Sequence, residues 1–132
     1  PRRVSHSAKS IKYFGFYLVG LGLSALLVPD LIGEVMGFES VGGVWPRVVG
    51  MVVCFLAYYY LTVATLDARP FFKATVVARL SVPLFFGVFV AMGLERWTLI
   101  CIGVPDFAGA LWTWSALRKD ARSEAVTPTQ AP

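Results

Sequence analysis

The chain has 132 residues, of which 57% are hydrophobic and only 15% are charged, and its formal net charge is +4. A soluble domain carries about 25% charged residues, so this composition excludes an ordinary water-soluble domain and indicates that lipid surrounds most of the chain. The lysines and arginines flank apolar runs and form no separate hydrophilic stripe. This distribution argues against a nucleic-acid-binding protein and favours anionic lipid headgroups as the partners of these charges.

A basic N-terminal arm, residues 1–12, leads into the first apolar segment, residues 11–28. This segment is longer than the apolar core of a signal peptide, and no small-residue cleavage site follows it. We therefore expect it to remain in the protein as a membrane-crossing helix. The next segment, residues 30–38, mixes apolar side chains with Asp30 and Glu34. It is compatible with a short amphipathic helix at the membrane surface and almost equally with a plain loop.

Three further apolar segments follow, residues 48–66, 74–94 and 97–117. A helix needs about 20 residues to cross the hydrocarbon core of a membrane, and all four apolar segments have this length. The period-2 alternation of a membrane β-barrel is missing, and the connections between the last three segments are short. The predicted fold is therefore all-α, an antiparallel four-helix transmembrane bundle. A polar tail, residues 118–132, follows it, and its end is expected to be disordered.

The distribution of lysine and arginine predicts the orientation of this bundle. Basic residues in short loops resist translocation and therefore mark the cytoplasmic side. Nine basic residues lie in the arm, in the loop between the second and third helices, and in the tail: Arg2, Arg3, Lys9, Lys12, Arg69, Lys73, Arg118, Lys119 and Arg122. The opposite loops carry only Arg47 and Arg96. Both termini are therefore predicted to be cytoplasmic.

Asp106 is the most informative residue for function. It lies inside the fourth apolar segment, about 13 Å below the outer boundary if each residue rises about 1.5 Å. An ionisable group at this depth is by default a candidate for an ion, proton or ligand site. The alternative is a structural residue, protonated or hydrogen-bonded, that ties two helices together. Pro105 and Gly103 precede it and predict a kink in the helix at this depth.

Four other residues complete a predicted polar layer. Tyr58 and Tyr59 lie at nearly the depth of Asp106, as does the next residue, Tyr60, and at most two of these three can face the bundle interior. A tyrosine hydroxyl can donate to the carboxylate of Asp106. Arg79 is a second charge inside the membrane, but its side chain is expected to lean toward the cytoplasmic headgroups, away from the carboxylate. Arg47, at the outer start of the second helix, either closes the site from outside or binds lipid phosphate.

The sequence contains no motif that predicts a metal or a cofactor. His6 is the one histidine and lies in the basic arm, while Cys54 and Cys101 fall inside apolar segments without metal-ligand spacing. No nucleophile elbow, phosphate-binding loop or zinc-protease motif is present. We therefore expect neither a metal nor a cofactor.

Several motifs between residues 29 and 117 form a set. They are Trp-Pro-Arg-Val-Val-Gly at 45–50, Tyr-Tyr-Tyr at 58–60, Arg-Pro-Phe-Phe at 69–72, Ala-Arg-Leu at 78–80, and Asp106 ahead of Gly-Ala-Leu-Trp at 109–112. This set resembles a group of small bacterial four-helix membrane proteins of unknown function, loosely DoxX-like. The resemblance implies the four-helix fold and a multi-pass location in the bacterial inner (plasma) membrane, and it implies no mechanism.

The sequence leaves three functions open. The first is a non-enzymatic protein, either an accessory subunit or a binder of a small lipophilic molecule at the polar layer. The second is an oligomeric transporter or channel component coupled to protons or cations, in which Asp106 carries the ion. The third, a membrane redox or lipid-modifying enzyme, lacks the clusters of histidine, cysteine or acidic residues that it needs. The expected partners are membrane lipids, other membrane subunits or further copies of the chain.

Overall fold

The computed structural model describes residues 3–37 and 43–127. Its helices are α1 (His6–Leu27), α2 (Pro29–Met36), α3 (Trp45–Thr65), α4 (Arg69–Ala91) and α5 (Thr98–Val126). Within the described ranges the chain is all-helical and contains no strand. All the helices except α2 are long and apolar enough to cross a membrane. The prediction of an all-α protein with four helices of membrane-spanning length is therefore confirmed.

The first helix begins at His6, inside the segment that was predicted as a basic arm, because its first backbone N–H groups find acceptors. The side-chain oxygen of Ser5 accepts a hydrogen bond from the backbone of Ala8 at 3.1 Å. The carboxylate of Asp120 accepts from the backbone N–H groups of His6, at 3.0 Å, and of Ser7, at 2.9 Å. Helix N-termini need such partners, since these N–H groups have none within the helix.

The last helix continues to Val126, well beyond the apolar segment that ends at Leu117. Contacts with other elements hold this polar extension. The Ser7 hydroxyl donates to Asp120 at 2.6 Å, and Arg69 pairs with Glu124 at 2.8 Å. The first part of the predicted tail is therefore helical. The last five residues, like Phe38 at the end of the predicted surface helix, lie outside the described residues.

The short helix α2 lies in the segment where the sequence favoured an amphipathic helix or a loop. Pro29 occupies its first turn, where the missing N–H of proline leaves no bond unmade. It ends at Gly37, whose φ of 71° is a left-handed conformation that glycine adopts without steric penalty. Of its residues only Gly33 is buried, so α2 lies on the surface of the protein.

Helix α1 is the central element, because it contacts each of the other four helices. Glycines allow its backbone to approach α3 closely. A Cβ atom built on Gly50 would lie 2.6 Å from the backbone N of Leu26 and 2.8 Å from the carbonyl oxygen of Gly22. Further along α1 and α3, a Cβ atom built on Gly15 would lie 2.9 Å from Cδ2 of Leu61. Small residues at such contacts are the usual means by which membrane helices associate.

The predicted basic segments meet at one end of the molecule, which we call the basic end. Here the Ser5 hydroxyl donates to Asp67 at 2.5 Å, and Arg69 lies 3.7 Å from the same carboxylate. The polar extension of α5 joins them through the contacts of Asp120 with the start of α1. At the other end, Arg96 donates to the carbonyl oxygen of Gly37 at 3.3 Å.

Asp120 lies outside the apolar part of α5, and its pKa is set by opposing effects. Burial alone would raise the pKa of Asp120, but hydrogen bonds from Ser7 and His6 and the charge of Arg69 hold the pKa below its ordinary value of 3.8. The pKa is therefore lower in the folded state than in the unfolded state. The ionised carboxylate stabilises the fold fully above about pH 4, and this contribution is lost as the pH falls through the folded-state pKa.

Substitution of Asp120→Asn is expected to lower the free energy of unfolding at neutral pH by about 1–2 kcal/mol, because the amide nitrogen cannot accept a bond from α1. The measurement is unfolding of the detergent-solubilised protein between pH 7 and pH 3. The difference in the free energy of unfolding between Asp120→Asn and wild type should become smaller below about pH 4. Glu124→Gln is the matched control and should have little effect, since its ion pair is exposed. A difference that is constant across this pH range would contradict the role of the charge.

Candidate functional site

A buried arginine lies at the centre of the polar cluster inside the apolar bundle. Arg79 of α4 is only 3% exposed. Its Nη2 donates to the hydroxyl of Thr113 on α5 at 2.8 Å, and its Nε donates to the carbonyl oxygen of Thr75 at 3.3 Å. A buried charge needs partners of this kind, because the surrounding apolar side chains offer none.

Thr113 extends this cluster to α1. Its fully buried hydroxyl donates to the carbonyl oxygen of Gly109 at 3.0 Å while it accepts from Arg79. The hydroxyl oxygen of Ser10 lies 3.0 Å from the hydroxyl oxygen of Thr113 and 2.7 Å from the carbonyl oxygen of Ser7. Helices α1, α4 and α5 are therefore tied together by hydrogen bonds around one threonine.

Two aromatic rings pack on the guanidinium. The Cζ atom of Arg79 lies 4.4 Å from the centre of the Phe14 ring on α1 and 5.9 Å from the centre of the Tyr60 ring on α3. Both rings are buried. A cation over a ring face gains up to about 2 kcal/mol when it is removed from water. The rings thus stabilise a charge that hydrogen bonds alone satisfy only in part.

One nitrogen of the guanidinium is left without a partner. Within the described residues, Nη1 of Arg79 is buried and has no hydrogen-bond acceptor. It points toward Gly109. A Cβ atom built on Gly109 would lie 3.0 Å from Nη1 and 2.8 Å from Cδ2 of Phe14. An unmade bond at a buried donor destabilises a protein by about 1–3 kcal/mol, and by more when the donor is charged. This nitrogen can therefore donate a hydrogen bond to an oxygen that reaches it.

Asp106 lies on α5 just before Gly109 and is half-buried. Its side chain lies in the same region of the bundle as Arg79 and Tyr60. Across the described ranges, however, no carboxylate oxygen of Asp106 lies within 4.0 Å of a basic nitrogen, and no hydrogen bond to its side chain is made. Asp106 and Arg79 share one region without forming a direct ion pair.

An aromatic groove runs between α1 and α5 beside this region. We call it the α1/α5 groove; its volume is about 260 Å³, and it is lined by Tyr13, Phe14, Tyr17, Pro105, Ala108, Gly109 and Trp112. The rings of Tyr13 and Trp112 stack with their centres 5.8 Å apart. Phe14 and Gly109 belong both to the groove and to the surroundings of Arg79. They are thus the wall between the groove and the unpartnered nitrogen.

The other predicted residues lie elsewhere. Tyr58 and Tyr59 are 67% and 55% exposed, whereas Tyr60 is 8% exposed and is the tyrosine that contacts the cluster. Arg47 is exposed in the first turn of α3 and donates to the carbonyl oxygen of Gly43 at 3.0 Å. The structure therefore brings Asp106 and Arg79 together and leaves the other three residues apart. The role of the predicted layer in ligand binding stays a prediction for all five residues.

Sequence reasoning missed the residues that surround the guanidinium. They are Ser10, Phe14, Thr75, Gly109 and Thr113. Helical spacing was the available signal for part of this set. Thr75 lies four residues before Arg79, and Gly109 and Thr113 continue the stripe of Asp106 along one face of α5. Arg79 does lean toward the start of α4, as predicted, but into the bundle and not toward the headgroups.

Four helices thus contribute to the surroundings of one guanidinium, with Phe14 on α1, Tyr60 on α3, Arg79 itself on α4 and Thr113 on α5. No protein-family model, no curated protein and no solved structure matches this chain.

Proposed function

We propose that the protein binds a small lipophilic molecule that carries an acceptor oxygen, at the wall between the α1/α5 groove and Arg79. The observation that carries this proposal is the buried Nη1 of Arg79, which has no partner among the described residues. A ligand oxygen that accepts from this nitrogen removes the penalty of the unmade bond. The stacked rings of Tyr13 and Trp112 offer a surface for its apolar part.

The nearby carboxylate favours a neutral ligand. Asp106 lies in the same region of the bundle as Arg79, although the two side chains form no direct ion pair. A fully anionic ligand beside Nη1 would be repelled by this carboxylate in a region of low dielectric constant. A carbonyl or ether oxygen accepts a hydrogen bond without adding charge, so these groups suit the site better. Binding also requires the Phe14 ring to move, since the ring closes the approach from the groove.

The arrangement in the membrane is part of the same proposal. The bundle is antiparallel, crosses the inner membrane of a bacterium four times, and keeps both ends of the chain in the cytoplasm. Two findings support it: Gly22 faces Gly50 while Gly15 faces Leu61, and the basic segments meet at one end. Basic residues remain on the cytoplasmic side of a membrane. The DoxX-like resemblance suggests the same location and stays a prediction.

The test is to purify the protein from bacterial membranes in a mild detergent, extract the sample with organic solvent, and compare the copurified small molecules by mass spectrometry. The variant Arg79→Met keeps much of the side-chain volume but removes every donor. The amount of a copurified neutral lipophilic molecule should be lower in this variant than in wild type by about tenfold or more. Gly109→Ala should lower it too, because the new methyl group displaces Phe14 and Nη1.

Gly87→Ala is the matched control, since a Cβ atom at Gly87 meets nothing within 4 Å. It should retain the molecule at the wild-type level. Extracts that are identical for wild type, Arg79→Met and Gly109→Ala would rule out a ligand at this wall.

A further inference from the structure

A second groove, the α4/α5 groove, lies on the opposite side of α5 at the basic end. Its volume is about 450 Å³. Its walls are apolar and include Val76, Val77, Leu80 and Leu117, and two basic residues, Lys73 and Arg118, also line it. Lys73 precedes the apolar residues on α4, and Arg118 follows Leu117 on α5. The two positive charges therefore lie nearest the basic end, and the apolar part extends toward the middle of the bundle.

The acidic residues at this end are already engaged elsewhere. Glu124 pairs with Arg69, Asp120 accepts hydrogen bonds from the start of α1, and Asp67 accepts from Ser5. Within residues 3–37 and 43–127, neither basic residue of the groove has an acidic side chain within ion-pair distance. The rim of the groove therefore presents two positive charges that no described side chain neutralises.

A tryptophan positions one of these charges. The Cζ atom of Arg118 lies 4.1 Å from the ring of Trp114, which also lines the groove. A guanidinium held over a ring face keeps its N–H groups free to donate at its edge. Tryptophan is also the side chain that prefers the depth of the lipid headgroups. The pair therefore marks the level at which a headgroup phosphate would lie.

We propose that the α4/α5 groove binds an anionic phospholipid of the cytoplasmic leaflet. The phosphate lies between Lys73 and Arg118, and one acyl chain follows α4 along Val77 to Leu80. The distance from Lys73 to Leu80 along the helix is about 10 Å, which matches the first part of an acyl chain below its headgroup. Basic pockets between transmembrane helices on the cytoplasmic side bind anionic headgroups in this way. The proposal rests on the membrane orientation and is independent of the ligand at Arg79.

The first test measures phospholipid binding to the detergent-purified protein by native mass spectrometry. Phosphatidylglycerol should bind to wild type, and removal of each basic residue of the groove should weaken its affinity about fivefold. The double variant Lys73→Gln/Arg118→Gln should therefore bind this lipid about 25-fold more weakly than wild type. The matched control, Lys119→Gln/Arg122→Gln, removes the same charge from exposed positions outside the groove and should bind like wild type. Equal losses in both double variants would overturn the site in favour of general charge attraction.

Two comparison ligands identify what the groove recognises. Phosphatidylcholine has the same acyl chains and no net charge, so it should bind much more weakly than phosphatidylglycerol. Inorganic phosphate should not displace the bound lipid, because it gains nothing from the apolar walls. Equal binding of the two lipids, or displacement by phosphate at millimolar concentration, would overturn the proposal.

A second measurement does not depend on the folding of the double variant. Phosphatidylglycerol with brominated acyl chains quenches the fluorescence of nearby tryptophans. The fluorescence contributed by Trp114 is obtained by subtracting the signal of Trp114→Phe from that of wild type. This contribution should be quenched more strongly by brominated phosphatidylglycerol than by brominated phosphatidylcholine. Equal quenching by both lipids would show that ordinary bulk lipid contacts α5 here and would overturn the proposal.

Discussion

Replacement of Gly50 with leucine is expected to separate α1 from α3 and to lower the free energy of unfolding by about 3 kcal/mol or more. The first atom of the new side chain already lies 2.6 Å from the backbone N of Leu26 and 2.8 Å from the carbonyl oxygen of Gly22. Helical backbone atoms cannot turn aside as a flexible side chain can. The helices must therefore move apart, and the packing between them is lost.

The matched control is Gly20→Leu. Gly20 lies on α1, is exposed, and has no atom within 4 Å of the position of a Cβ. Its replacement should be neutral or slightly stabilising, since glycine in a helix is about 0.5–1 kcal/mol less favourable than alanine. Both variants can be compared by thermal unfolding in detergent. Equal loss of stability in both would show that the glycines do not set the distance between α1 and α3.

Removal of the Thr113 hydroxyl should have the second large effect. Thr113→Val keeps the shape of the side chain, but it leaves Nη2 of Arg79 with only the hydroxyl of Thr75, at 3.4 Å. A guanidinium that loses its best acceptor inside an apolar bundle should destabilise the protein by about 3 kcal/mol. Unfolding of the detergent-solubilised protein gives this value directly. Thr62→Val is the control, since that exposed hydroxyl bonds only to its own helix.

A double-mutant cycle separates the hydroxyl from the charge. Arg79→Met alone should be nearly neutral for stability, because an apolar side chain of similar volume replaces a buried charge. The double variant Arg79→Met/Thr113→Val should then be more stable than Thr113→Val alone. A double variant that is less stable than either single variant would show that the threonine acts through another contact.

The existence of the helices was predictable, but their ends were not. Long apolar segments define a membrane helix by length and composition alone, so each of the four candidates was found. The start of α1 depends on the N-cap Ser5 and also on Asp120, which is far away in sequence and was assigned to a polar tail. Hydropathy cannot detect a helix end that is set by a contact between distant residues.

The centre of the candidate site was predictable in part. A charge inside an apolar segment is visible in the sequence, and this rule identified Asp106 and Arg79. The rule does not give the direction in which a side chain points around the helix. Three consecutive tyrosines point in three directions, so the choice of Tyr58 and Tyr59 over Tyr60 could not be made from depth alone. Phe14 and Gly109 act through shape and carry no polar signal.

The contact of Asp120 with the start of α1 also sets an order of events during biosynthesis. The first helix leaves the ribosome before Asp120, which accepts hydrogen bonds from two of its first N–H groups, has been made. The N–H groups of His6 and Ser7 must therefore bond to water until α5 packs beside α1. The N-terminal end of α1 is thus completed late, and a nascent chain that stalls before Asp120 leaves two of its N–H groups without their protein acceptor.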